Sequence, residues 1–275
     1  MPETGGRPPL PIPGGRDLIP YMFGFAEAGE LPGDVLTQLL VDVGLTAAAA
    51  RTSIARMRRR GGLAARRVGR RAHYRLAGEV RVAYERLDYC ELGPAVPWTG
   101  EFHTLLYSVP EHARPFRDRL RNVGRSLGYG QLRPGALISP IDRWAAVSDI
   151  IGTPPAAAQL YPGRLTLGEQ EARLAAREAW DLDAMSRTYA RQRTILAADL
   201  ADISAPPADG RTALRRLLAL GRPVYAAMFT DPSLPAELLP PDWPRAAVLT
   251  MLERVEAAYD RPIRQYVETL FELGS

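Results

Sequence analysis

Ten arginines, Arg51, Arg56, Arg58, Arg59, Arg60, Arg66, Arg67, Arg70, Arg71 and Arg75, fall within residues 43–78, a window that contains no Asp or Glu. A guanidinium is a planar, permanently charged fork of donors that matches two phosphate oxygens or the O6/N7 edge of guanine. The window carries a charge of +10, whereas residues 1–42 sum to −4 and residues 79–275 to −2, for a net +4. Every basic side chain other than the three histidines is arginine. Arginine abundance by itself is therefore a trait of composition. The segregation of charge is what points to a polyanion such as nucleic acid.

Residues suited to other chemistry are sparse. Cys90 is the single cysteine, so an intramolecular disulfide is impossible and a cytoplasmic location is expected. A cysteine nucleophile needs a histidine base, and none of His73, His103 and His112 is placed in the sequence to suggest one. Asp118, Asp142 and Asp149 occur singly in helix-like contexts, unlike the clustered carboxylates that hold a catalytic metal. No Gly-rich phosphate loop and no Cys/His cluster with metal spacing occurs. The expectation is a protein that is not an enzyme, with no catalytic residues, cofactor or metal site. No apolar run approaches the ~20 residues needed to cross a bilayer. Residues 1–15 are rich in Pro and Gly, lack a signal-peptide pattern and read as a flexible tail. At 275 residues, with 46% hydrophobic and 24% charged side chains, the chain is expected to form two or three globular domains.

The basic window must be presented by local structure, and its pattern supplies one. Residues 16–27 read as a first helix that starts or bends near Pro20. Residues 34–43 place Val35, Leu36, Leu39, Leu40 and Val43 on one helical stripe, stopped by Gly44. Thr46 can cap a third helix over 47–60. Two helices joined by a tight Gly-containing turn form a helix-turn-helix. On the third helix Ala50, Ile54 and Met57 face inward, while Arg51, Thr52, Ser53, Arg56 and Arg59 project outward. The N-terminal part of such a helix meets base edges in the major groove, where an Arg51–guanine pair is worth ~1–3 kcal/mol of discrimination. Arg58 to Arg60 suit phosphates. Residues 63–76 then form two short strands with a turn at Val68 and Gly69, in which Ala72, Tyr74 and Leu76 alternate with Arg71, His73 and Arg75. This basic hairpin is a wing whose Arg66, Arg67, Arg70 and Arg71 reach phosphates or a narrow minor groove. The candidate DNA-binding set is therefore Thr46, Arg51, Thr52, Ser53, Arg56, Arg59, Arg66, Arg67, Arg70 and Arg71, in a winged helix-turn-helix domain over 16–95.

Downstream, a strand-like run at 102–109 is followed by an amphipathic helix at 114–127 carrying Phe116, Leu120, Val123 and Leu127. A short strand at 136–139 and a helix at 142–151 complete a small α/β domain over 96–165. From Glu169 the pattern is helical, with runs at 180–198, 212–220 and 245–273, giving a helical domain over 166–275. Residues 234–244 hold four prolines, a rigid connector in which Trp243 reads as a packing anchor rather than a stacking platform. The fold class is thus a multi-domain α+β protein.

The stretch ARTSIARMRRRGGLAARRVGRRAHYRL, the segment Trp98–Pro140, the motif AWDLDAMSRTY at 179–189 and DPSLPAELLPPDWP at 231–244 together resemble the PaaX family, the repressors of phenylacetic acid catabolism. The resemblance runs over nearly the whole chain from about residue 16. It implies a ferredoxin-like, Cas2-like middle domain, without its nuclease activity being carried over. It also implies a homodimeric repressor on roughly palindromic, double-stranded operator DNA, released by an aryl-acyl-CoA effector such as phenylacetyl-CoA. Arg187, Arg191, Arg193, Arg215, Arg216 and Arg222 could meet CoA phosphates or be solvated helix faces, so the effector site is left unassigned. Two alternatives remain open: a nucleic-acid-processing protein with a catalytic middle domain, and a regulator with no CoA effector.

Overall fold

The computed structural model describes residues 18–82, 84–85, 97–202 and 209–273. The expected tail, the start of the first predicted helix and Cys90 lie outside the described residues. By contact the chain divides into two compact units, neither continuous in sequence. One comprises Met1–Ala77, Gln192–Pro223 and Thr250–Ser275, and the other Gly78–Arg191 and Val224–Leu249.

The first unit begins with α1 (Ile19–Phe25), α2 (Gly33–Asp42) and α3 (Ala47–Arg59). Pro20 sits in the first turn of α1, where its missing N–H removes no helical bond. A three-stranded antiparallel sheet, in order β1-β3-β2, joins β1 (Leu31–Pro32), β2 (Leu63–Val68) and β3 (Arg71–Leu76). The two-residue β1 carries no period that a sequence pattern can reveal. Pairing of Val68 with Arg71 makes Gly69 and Arg70 the hairpin turn, one residue later than the predicted Val68-Gly69. Gly69 supplies the positive φ, +59°, that a two-residue turn demands. Of the predicted inward residues, Leu76 is buried, Tyr74 half-buried and Ala72 exposed, because only the base of the hairpin is covered.

The second unit is built on strand, helix, strand, strand, helix, strand: β4 (Glu101–Ser108), α4 (Arg114–Ser126), β5 (Gly130–Arg133), β6 (Ala136–Ser139), α5 (Trp144–Ile151) and β7 (Gln159–Thr166). All its strand pairs are antiparallel, in order β5-β6-β4-β7. Leu105 and Tyr107 on one face pack with Leu120, Val123 and Leu127 of the α4 stripe and with Val147 and Ile151 of α5. Phe102 and Ile138 on the other face pack with Ala172, Ala175 and Ala176 of α6 (Glu169–Ala179) and with Trp180. Alternation along β4 thus feeds two cores. The edge strand β7 has no counterpart among the predicted elements; it contains Pro162, which an edge tolerates and a central strand would not.

Three long helices follow: α7 (Leu182–Asp202), α8 (Gly210–Thr230) and α9 (Arg245–Leu273). Pro223 lies inside α8 and Pro262 inside α9, so α8 runs ten residues beyond the predicted end at Leu220. Trp243 packs edge-on against Tyr189 at 6.0 Å between ring centres, as an anchor. Among the described residues no helix is long and apolar enough to cross a membrane.

Gly130 sits beneath the end of α6, where an added Cβ would strike Trp180 and Ala179 at 2.5 to 2.8 Å. Gly130→Ala is expected to lower unfolding stability by ~1–3 kcal/mol through overpacking, read by chemical denaturation.

Candidate nucleic-acid interface

The turn between α2 and α3 is closed by its own backbone. Leu45 N–H bonds to the Leu40 carbonyl at 3.1 Å and Gly44 N–H to Val41 at 2.9 Å, with Gly44 at φ +107°. This is a Schellman ending, which needs the left-handed residue that glycine provides. Thr46 then caps α3, its Oγ1 accepting from Ala49 N–H at 3.1 Å. Val35, Leu36, Leu39 and Leu40 of α2 and Ala50 and Ile54 of α3 are buried, and the two helices pack on each other. The opposite side of α3 is left to solvent.

That side carries the predicted residues with one exception. Arg51, Thr52 and Arg59 are exposed, as are Arg58 and Arg60, and Arg56 is half-buried. Ser53 is buried at 9% exposure, not outward-facing as predicted. The reason is helical geometry: three residues after Ala50 and one before Ile54, position 53 lies on the inward stripe. Arg51 and Arg58 line a groove of about 450 Å³ with Asp34, Arg71 and Tyr74. On the hairpin, Arg66, Arg67, Arg70, Arg71 and Arg75 are all exposed.

Acids from outside the basic window hold two of these arginines. Arg66 Nε lies 2.6 Å from one Glu30 oxygen and donates to the other at 2.9 Å, while His73 Nδ1 is 3.5 Å from Glu30. Arg71 Nε is 3.8 Å from Asp34. Arg67 Nε donates to the Gly69 carbonyl across the turn at 3.2 Å. Among the described residues, Arg51, Arg56, Arg58, Arg59, Arg60, Arg70 and Arg75 have no carboxylate partner. The uncompensated charge therefore runs along α3 to the hairpin tip.

One residue of this unit went unnoticed in the sequence. Asp42, the last residue of α2, is 1% exposed. Its carboxylate accepts from Gln38 Nε2 at 2.9 Å, from the Tyr266 hydroxyl and, at 3.1 Å, faces Arg211 Nε. Arg215 Nε donates to its main-chain carbonyl. Burial, then the bond to Asp42, pushes the Tyr266 hydroxyl above its usual range, so it stays a neutral donor. The available signal was an acid at the C-terminal end of an apolar helix, where the macrodipole disfavours it. A second buried acid, Asp199 of α7, accepts from Arg216 Nε at 2.8 Å and Tyr259 at 3.2 Å. Arg215 and Arg216 are thus engaged by the fold, whereas Arg187, Arg191 and Arg193 are exposed on α7.

In the second unit Asp118 lies 3.6 Å from Arg114, and Asp142 accepts from Trp144 N–H at 3.0 Å at the start of α5. Asp149 is exposed. Among the described residues no three His, Cys, Asp or Glu side chains gather where they could hold a metal ion.

Three family models match in succession. Residues 23–80 match "PaaX-like protein", residues 95–172 "PaaX protein central Cas2-like domain" and residues 180–269 "PaaX-like protein C-terminal domain". The chain belongs to the PaaX family. A curated relative, the Transcriptional repressor PaaX of Escherichia coli (strain K12), is 28% identical over 249 residues, covering 83% of this chain and 75% of that protein. A solved structure, the uncharacterized protein Rv0674 from Mycobacterium tuberculosis, is 26% identical and covers 85% of this chain and 90% of its own, with a TM-score of 0.49. The first family model spans α2, α3 and the hairpin, and so includes the two elements that carry the arginines, α3 and the hairpin.

Thr46→Ala removes the cap that starts α3 and is expected to cost about 1 kcal/mol. Thermal unfolding followed by circular dichroism checks this.

Proposed function

We propose that this protein is a transcriptional regulator that binds double-stranded operator DNA and acts as a repressor. The observation that carries the reading is the arginine surface running from α3 to the hairpin tip, on which Arg51, Arg58, Arg59, Arg60 and Arg70 are exposed and, among the described residues, have no carboxylate partner. Its order of helix, Gly turn, helix and basic hairpin is read as a winged helix-turn-helix. Family membership supports the regulatory role, since the curated relative is named a transcriptional repressor. Arg51, with Thr52 and Arg56, would meet base edges in the major groove. Arg58, Arg59, Arg67 and Arg70 would hold phosphates, which position without specifying sequence. Arg66 and Arg71 would reach DNA by exchanging Glu30 and Asp34 for phosphate, a small exchange because exposed ion pairs are worth only ~0–1 kcal/mol.

A homodimer would set two copies of α3 in successive major grooves of a palindromic site. The strand–helix–strand–strand–helix–strand unit is read as a ferredoxin-like, Cas2-like module with an architectural role. Its Asp118 and Asp142 are engaged in an ion pair and a helix start rather than gathered for metal chemistry. The protein is read as a cytoplasmic non-enzyme. The effector is taken from family resemblance: an aryl-acyl-CoA that binds the form off DNA better than the form on it.

Two experiments test the reading. In binding titrations over a salt series, Arg51→Ala should lose discrimination between operator and random duplex. Arg70→Ala should weaken both alike and reduce the salt slope by about 1. Equal operator affinity for wild type and Arg51→Ala would remove α3 as the reading helix. Calorimetry with a panel of acyl-CoA esters should show heat for an aryl-acyl member, and its absence throughout would remove the CoA effector.

A further inference from the structure

We propose that Asp42 is a positioning residue through which helices α8 and α9 set the orientation of α3, so that the reading helix is held from the C-terminal part of the chain. The inference rests on the DNA-binding reading for its consequence, though not for its geometry.

Asp42 is an improbable place for a carboxylate unless something specific holds it. It is buried, and it lies at the negative end of the α2 dipole. Its compensation comes from far along the chain. Arg211 is 169 residues away, Arg215 is 173 and Tyr266 is 224; only Gln38 is local. The donors converge because α8 begins unusually close to α9. A Cβ on Gly210 would run into the Pro262 carbonyl and the Tyr266 Cβ, so only glycine permits that approach. Arg211, the next residue, then lies over the Tyr266 ring with its guanidinium carbon 5.8 Å from the centroid. Side chain and main chain of Asp42 are thus gripped together, the carboxylate by Arg211 and Tyr266 and the carbonyl by Arg215.

The grip lies one turn from the interface. After Asp42 come only four residues, 43–46, before α3. Those four are stiff: the Schellman bonds, the left-handed Gly44 and the Thr46 cap leave little freedom to absorb a displacement. A shift of Asp42 is therefore passed to Ala47–Arg51. A second tie links α9 to the chain just beyond α1, with Arg264 donating to both oxygens of Glu27 at 3.0 and 3.1 Å, but it is exposed and screened by solvent. Buried ionic clusters are attested as devices that select one arrangement over others.

The test uses the full chain with Asp42→Asn, which keeps shape and removes charge, and Tyr266→Phe, which removes one hydroxyl. Both are assayed below the onset of thermal unfolding. Three quantities are read: operator affinity, its salt slope, and hydrogen exchange at residues 44–50 in the free protein. Each variant should bind operator on the order of five-fold or more weakly, with an unchanged salt slope because no phosphate contact is lost. Exchange at 44–50 should quicken. The double variant should be no weaker than the weaker single, because both break one network. Lower melting temperatures with unchanged affinity and exchange would overturn the proposal in favour of a merely structural role. A reduced salt slope would overturn it in favour of direct DNA contact. If instead the DNA-binding reading fails, wild type will prefer operator no more than Arg51→Ala does. The exchange measurement, made without DNA, still decides whether Asp42 orders α3.

Discussion

A carboxylate buried at the C-terminal end of a helix must be neutralised where it stands, and Asp42 places that demand on the first unit. The charge is opposed by desolvation and by the α2 dipole at once. It is met by Arg211 and Tyr266, which belong to helices that begin more than 160 residues later, and by Gln38. The donors reach it because α8 starts at a glycine pressed against α9, within a unit that draws residues from three separate stretches of the chain.

The proposed interface is what the packing of α2 and α3 leaves exposed. Apolar stripes turn α2 and the Ala50–Ile54 side of α3 inward, and the opposite side of α3 carries arginine without carboxylate. The acids nearest the surface, Glu30 and Asp34, come from just before and just within α2 and meet Arg66 and Arg71 on the hairpin. The turn between the two strands, Gly69 and Arg70, is left exposed, with Arg70 unpaired among the described residues.

Much of the architecture was legible in the residues. The three N-terminal helices, the Gly44 stop, the Thr46 cap and the hairpin follow from local period and capping chemistry, and the structure shows them within a few residues of expectation. The α4 stripe was equally readable, since Leu120, Val123 and Leu127 sit at helical spacing and are all buried. Misses share a cause. Strand β1 is two residues long, β5 is four, and β7 contains Pro and Gly, so each exists by pairing with a neighbour rather than by its own pattern. Continuation of α8 past Pro223 likewise depends on surroundings, whereas the inward position of Ser53 follows from its helical spacing to Ala50 and Ile54 and was there to be read.

The sequence by itself determined that a +10 window without acids is presented by helix, turn, helix and hairpin, because charge segregation and helical or strand period are properties of neighbours along the chain. Only the tertiary structure decided which arginines remain unpaired, since Glu30 and Asp34 lie outside the window and reach it through folding. It alone joined Asp42 to Arg211 and Tyr266. Pairings across such separations leave no local pattern. They are set by which faces the apolar core brings together, and the polar groups caught there must then satisfy one another.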